Sequence, residues 1–285
     1  MRSDDLNKKW PVCECDTIQK YLVAAYGRLD NREGSYAFRG VTKHYPNIRP
    51  PIDRRKIAPD NPVKVETRLL KEFRRRGWKY LTRQEQRRCL FAETRWSNRR
   101  NTGAMVVARH RMLPTRCIDW TYEPLYSLLF ACDGDYGHSG EVWWFNRAEF
   151  DYCVGAQWPA LFGKLGHVED DIEEEFIKGK AAQWVTALDY TSLAGDRLDL
   201  QKGWITVAGQ LGTCHAEEIH RLGVRGKGRL VVPARLKPKA LAFLERMGVT
   251  RQALGFGPND HADEIAQKIR EEFEGKYPCK SPSSA

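Results

Sequence analysis

Residues 110–131, HRMLPTRCIDWTYEPLYSLLFA, constrain the fold more than any other segment, because they set a run of polar side chains directly ahead of an apolar helix. Pro114 fixes its own φ and biases Leu113 away from helical backbone, so Thr115, Arg116, Asp119, Trp120 and Thr121 fall on a constrained turn or short strand. From Pro124 the spacing of Leu125, Leu128, Leu129 and Cys132 is helical, with Thr121 able to cap the start and Pro124 tolerated in the first turn. The N-terminus of that helix then faces the polar group, which makes this the first place to look for chemistry.

The remaining pattern alternates irregularly between helix and strand. Asp16 or Thr17 can cap a helix carrying Ile18, Tyr21, Leu22 and Ala25. Tyr36, Phe38 and Val41 give a strand that ends by presenting Arg39 beside Gly40. Tyr45 to Pro62 reads as an ordered crossing loop, and Val65 to Trp78 as an amphipathic helix. A second, more polar helix is expected over Arg83–Trp96, followed by a break at Asn98–Gly103. Strands are expected over Glu141–Phe145, Trp204–Val207 and Arg229–Val232, and helices over Pro238–Met247 and Ala262–Phe273 with Gly248 stopping the first. No internal repeat, Walker loop or Rossmann glycine fingerprint is present. The expectation is an α+β fold, with an N-terminal helical segment over residues 1–30, a main domain over 31–275 and a disordered tail over 276–285.

Charge and cysteine usage narrow the partners. The chain carries a formal net charge of +10 over 285 residues, which favours an anionic partner. Basic residues crowd between Lys64 and Arg100, either as the solvated face of a helix or as a nucleic-acid surface. The eight cysteines lack zinc-ribbon spacing, so no metal and reduced thiols are expected. The acidic run Glu169–Glu175 reads as an exposed helix face rather than a metal site. The absence of a long apolar run points to a cytoplasmic protein without a membrane segment.

Phe38-Arg39-Gly40, the stretch from His110 through Thr121 and the apolar helix after it resemble the FRG domain family, named for its Phe/Tyr-Arg-Gly signature. The family's long motif reads H-Y-G-L-P-T-R-L-L-D-W-T; here Arg111-Met112 stand where Tyr-Gly is usual, and Cys117-Ile118 where two leucines are. Weaker similarity extends from about Tyr36 to Phe273, including Gly209-Gln210-Leu211-Gly212. The order of an aromatic-Arg-Gly strand and two later polar strands also resembles, at a distance, the ADP-ribosyltransferases, in which a first-strand arginine anchors NAD. The resemblance implies a mixed or split central sheet flanked by helices, and a phosphate-bearing nucleotide as ligand, with NAD as the cofactor of a transferase-like enzyme. The alternative is a non-catalytic module, binding nucleic acid or protein, in a stress or phage-defence system.

The residues of this site divide by role. Arg39 can hold a phosphate bidentately, with Gly40 letting the backbone come close to the ligand, or it can form a buried ion pair with Asp119. Arg116 carries the same choice, so one arginine is expected to satisfy Asp119 while the other faces a ligand. His110 and Gln210 are the candidates for acid, base or hydrogen-bonding duty at the reacting groups. Thr115, Trp120 and Thr121 complete the ligand-binding set, with Trp120 either core or stacking platform.

Overall fold

The computed structural model describes residues 7–27, 35–54, 62–83, 85–86, 100–157, 185–188, 197–256 and 261–276. Its strands are β1 (Val12–Glu14), β2 (Tyr36–Val41), β3 (Cys117–Thr121), β4 (Gly140–Asn146), β5 (Val185–Leu188), β6 (Gly203–Ala208) and β7 (Lys227–Val232). Its helices are α1 (Ile18–Tyr26), α2 (Pro51–Arg54), α3 (Pro62–Gly77), α4 (Arg100–His110), α5 (Pro124–Cys132), α6 (Arg147–Gln157), α7 (Arg197–Leu200), α8 (His215–Arg221), α9 (Lys237–Arg246) and α10 (His261–Lys276). The fold is α+β, around one mixed seven-stranded sheet in the order β1-β7-β4-β2-β3-β6-β5. Among the described strands only β1 and β7 run parallel; every other neighbouring pair is antiparallel.

The period of two along each strand sorts the core into layers. Phe38, Val142, Trp144, Leu230 and Val232 pack beneath α1, α5 and α9. On the same side but farther along the sheet, Cys117, Ile205 and Val207 lie beneath α3, α4 and α10. The opposite face gathers Ala37, Ile118, Trp120, Trp143, Phe145 and Trp204 against α6 and α8. Two helical clusters thus share one face of the sheet, and the line between them falls near β2 and β3.

That line is also the weakest seam in the ladder. β2 pairs with β4 over six residues, Tyr36 through Val41, yet with β3 only at Phe38 and Thr121. Beyond that rung the two strands diverge, and the Arg39 guanidinium Nη1 donates to the Asp119 carbonyl at 2.6 Å across the gap. A side chain here satisfies a strand-edge acceptor that a buried backbone cannot leave bare.

Glycine explains how closely α5 lies on the sheet. A Cβ on Gly40 would sit 1.9 Å from the Ser127 carbonyl oxygen and 2.7 Å from the Ala131 nitrogen, both backbone atoms of α5. The glycine of the Phe-Arg-Gly triplet is therefore required by helix-on-strand contact, and the backbone it admits is that of α5. Lys237 holds a second junction: its ammonium donates to the carbonyls of Thr42 (2.6 Å), Gly134 (3.1 Å) and Asp135 (3.0 Å), fixing the loops after β2 and α5.

Several boundaries differ from those read in the sequence. The N-terminal helix is present with Thr17 as its cap, accepting from the Lys20 amide, but Val12–Glu14 adds an edge strand ahead of it. Its three residues are too few to show alternation. Gly103 lies inside α4 instead of ending a break, because Ala104, Met105, Val106, Val107 and Ala108 bury that helix and override glycine's low propensity. Thr121 does not cap α5: Glu123 does, its carboxylate accepting from the Leu125 amide, while Thr121 accepts from the Glu123 amide and donates to the Gln201 carbonyl. The expected tail loses its first residue, Lys276, to the end of α10; its remaining residues 277–285, the acidic run 169–175 and most of the expected helix over 83–96 lie outside the described residues.

Candidate functional site

A cleft of about 290 Å³ opens over the β2/β3 seam, between the C-terminus of α4 and the helix α5. Its size falls near the lower end of small-molecule sites, about 300 Å³ and upward. The sheet contributes Phe38, Arg39, Gly40, Asp119, Trp120 and Thr121 to its walls. Arg109, His110 and Met112 come from the end of α4, and Phe130 and Asp133 from α5 and the residue after it. Arg197 and Gln201, with Arg251 and Phe256, close the far side.

Asp119 is the electrostatic centre. Its Oδ2 meets the Arg109 guanidinium at 2.5 Å. Burial pushes the Asp119 carboxyl up, but Arg109, then His110 and Arg39, outweigh that cost and hold it below the usual carboxylate range. The arginine that neutralises Asp119 is thus Arg109. Arg39 adds to that attraction while its guanidinium donates to the Asp119 carbonyl at the cleft wall, and Arg116 takes no part.

Arg116 lies elsewhere. It is 1% exposed, and its Nε and Nη2 both reach Glu66 Oε2 at 2.7 Å while its own amide donates to Glu66 Oε1 at 2.8 Å. Its Nη1 donates to the Gly209 carbonyl at 2.8 Å. This pair locks β3 to α3 and to the end of β6. Thr115 is likewise fully buried, and its hydroxyl accepts from the Cys117 amide at 3.3 Å. Gln210 follows the glycine that binds Arg116 and does not line the cleft. Of the residues read from the sequence, the structure brings Arg39, Gly40, His110, Asp119, Trp120 and Thr121 to one cavity; Thr115, Arg116 and Gln210 lie outside it.

His110 is buried, and its carbonyl accepts from Arg197 Nη1 at 2.7 Å. Arg197 also binds Asp263 Oδ2 at 2.7 Å and the Gly255 carbonyl at 3.1 Å, so one guanidinium joins α4, α10 and the chain before α10. Phe256 packs against both the Arg197 and the Arg251 guanidinium, whose carbons each lie 4.6 Å from its ring centroid. Arg251 in turn binds Asp133 at 2.8 Å. Trp120 carries the cleft into the core: its indole donates to Thr206 Oγ1 at 2.8 Å, and that oxygen lies 2.8 Å from His215 Nδ1.

The end of α4 is a Schellman closure, in which the Leu113 amide reaches back to the Ala108 carbonyl (2.9 Å) and the Met112 amide to the Arg109 carbonyl (3.0 Å). Met112 therefore occupies the left-handed position, with φ of 65°. Arg111, just before it, forms a bidentate pair with Glu85 at 2.8 Å on both bonds. The two positions where this chain departs from the H-Y-G motif thus serve α4's closure and an ion pair.

Sequence reasoning missed Arg109, Arg197, Arg251 and Phe256. Arg109 sits one residue before the motif, and its signal was available as a cation in the last turn of a helix aimed at an aspartate. The other three come from distant segments with no local pattern. Along the basic region, Arg75 pairs with Glu72 and Arg76 with Glu272, both at 2.7 Å, beside Trp78, Lys79 and Tyr80 in a shallow groove. Residues 87–99 of that region lie outside the described residues.

Residues 34–139 match the family model described as the FRG domain, which covers both the Phe38-Arg39-Gly40 triplet and the His110–Thr121 motif. No curated protein and no solved structure matches this chain. Among the described residues, no helix is long and apolar enough to cross a membrane, and no cluster of three or more His, Cys, Asp or Glu side chains is arranged to hold a metal.

Proposed function

We propose that the cleft binds a phosphate-bearing nucleotide, with Arg39 as its anion anchor. The observation that carries this reading is the position of Arg39: its guanidinium, anchored on the Asp119 carbonyl, lines a cavity whose other lining includes Arg109, His110 and several aromatic rings. Cationic forks recognise phosphate oxygens, and aromatic walls suit a base or nicotinamide ring. NAD fits this donor set as well as a mononucleotide does. Both carboxylates lining the cleft, Asp119 and Asp133, are held by guanidinium groups, so the proposal is ligand binding and assigns no transfer step.

The test is ligand-induced thermal stabilisation with NAD, ADP and ATP, read in the wild type, Arg39→Ala and Arg39→Lys. At a hundredfold excess over Kd a ligand contributes about 2.7 kcal/mol, a shift of several degrees. Arg39→Ala is expected to abolish that shift in a protein that still folds, its unliganded Tm lowered by roughly 2–12 °C, since leaving the Asp119 carbonyl without its donor costs about 1–3 kcal/mol. Arg39→Lys keeps the charge without the fork and is expected to bind weakly. A wild-type protein unmoved by all three ligands, or an Arg39→Ala variant that binds like it, would overturn the reading.

A further inference from the structure

Among the described residues, three chain reversals close with the same pair of backbone bonds, and two of them use glycine. At the end of α9 the Val249 amide reaches the Leu244 carbonyl (2.9 Å) and the Gly248 amide the Glu245 carbonyl (2.9 Å), with Gly248 at φ of 73°. At residues 251–256 the Phe256 amide reaches the Arg251 carbonyl (3.0 Å) and the Gly255 amide the Gln252 carbonyl (3.0 Å), with Gly255 at φ of 82°. The third is the end of α4, where Met112 takes the same position. A side chain with a Cβ is disfavoured in this region of backbone space, so methionine weakens a closure that glycine would make freely.

Packing does not compensate. Met112 is 46% exposed, among the large apolar side chains left open to solvent, although residues on either side of it are buried. The side chain stands at the cleft rim, beside Arg109 and His110. Backbone strain concentrates where it serves a site. A flexible thioether in such a place can settle on an aromatic ring brought to it.

We infer that Met112 is a specificity-determining residue of the cleft, covering the ring of a bound nucleotide while the arginines hold its phosphates. This rests on the nucleotide-binding reading and adds to it the part of the ligand that Met112 selects. Ligands with the same phosphates and no ring are then indifferent to Met112.

Calorimetric titration of ADP and of inorganic pyrophosphate into the wild type, Met112→Gly, Met112→Ala and Met112→Leu separates the cases. ADP affinity is expected to fall about fivefold in both Met112→Gly and Met112→Ala, within the range of sulfur–aromatic contacts, and to stay within about twofold in Met112→Leu, whose side chain covers similar apolar area. Pyrophosphate affinity is expected to be the same in all four. The Tm of Met112→Gly should equal or exceed that of the wild type, which excludes misfolding as the cause of its loss. Unchanged ADP affinity in Met112→Ala would overturn the inference, as would a loss confined to Met112→Gly, which would trace to backbone freedom. Equal loss of ADP and pyrophosphate would also overturn it. A wild type that binds neither ligand refutes the nucleotide reading and this inference with it; a wild type and variants that all bind ADP alike refute this inference alone.

Discussion

Removing Glu66 should destabilise this protein without touching the cleft lining. Glu66 receives three bonds from Arg116, two from the guanidinium and one from the amide, in surroundings that leave the two side chains 3% and 1% exposed. In Glu66→Ala the guanidinium keeps the Gly209 carbonyl and loses its counter-charge. Breaking one partner of a buried pair costs about 3–5 kcal/mol, and for a chain of this size each kcal/mol moves Tm by roughly 2–4 °C. Glu66→Ala is therefore expected to lower Tm by roughly 6–20 °C. The double variant Glu66→Leu/Arg116→Met removes both charges and fills the space with apolar atoms, so it should recover most of the loss. Differential scanning calorimetry of the wild type, the single variants and the double variant gives the coupling directly. A Glu66→Ala protein melting within about 2 °C of wild type would refute the argument. So would a stable double variant that had lost ADP binding, since it would put Arg116 at the ligand.

Two further outcomes follow from other burial. Asp53 Oδ2 is buried without a hydrogen-bond partner, and burial pushes that carboxyl up from 3.8 to about 6, against the pull of a Gly212 backbone bond and of Arg49 and Arg116. Its folded pKa exceeds its unfolded one, so its contribution is fully present below about pH 4 and is lost as pH rises through about 6. Asp53→Asn should melt above the wild type at pH 7–8 and converge with it near pH 4; parallel Tm curves across that range would refute the assignment. Gly40→Ala drives a Cβ into two backbone atoms of α5 and should cost about 2–3 kcal/mol, read as a lowered denaturation midpoint with or without nucleotide. A wild-type midpoint would mean that α5 does not lie that close.

Much of the scaffold was legible because local signals agreed with tertiary ones. The apolar spacing after Pro124 specified α5, and the β-rich runs around Phe38, Trp143 and Ile205 specified three strands of one sheet. What could not be read was pairing at a distance. Arg39 and Arg116 present the same chemistry in sequence; a carboxylate fifty residues upstream makes one of them structural, and nothing near Arg116 announces Glu66. Gly40 looked like room for a ligand because a glycine records that something comes close, without saying what. Phe256 and Arg251 reach the cleft through contacts between distant segments: Arg197 ties their loop to α4 and α10, and Arg251 pairs with Asp133.

The single rung between β2 and β3 bears on what the family match delimits. Residues 34–139 contain both strands, yet the partners that complete their ladders, β4 and β6, begin at Gly140 and Gly203. Cut at its sequence boundary, the matched segment would hold two strands joined at one position, each with its better edge bare to any strand that found it. The segment the family model matches is therefore smaller than the unit that can stand: it holds part of the cleft lining, while the strands that brace it, and Arg197, Gln201, Arg251 and Phe256 on the far side, lie beyond it.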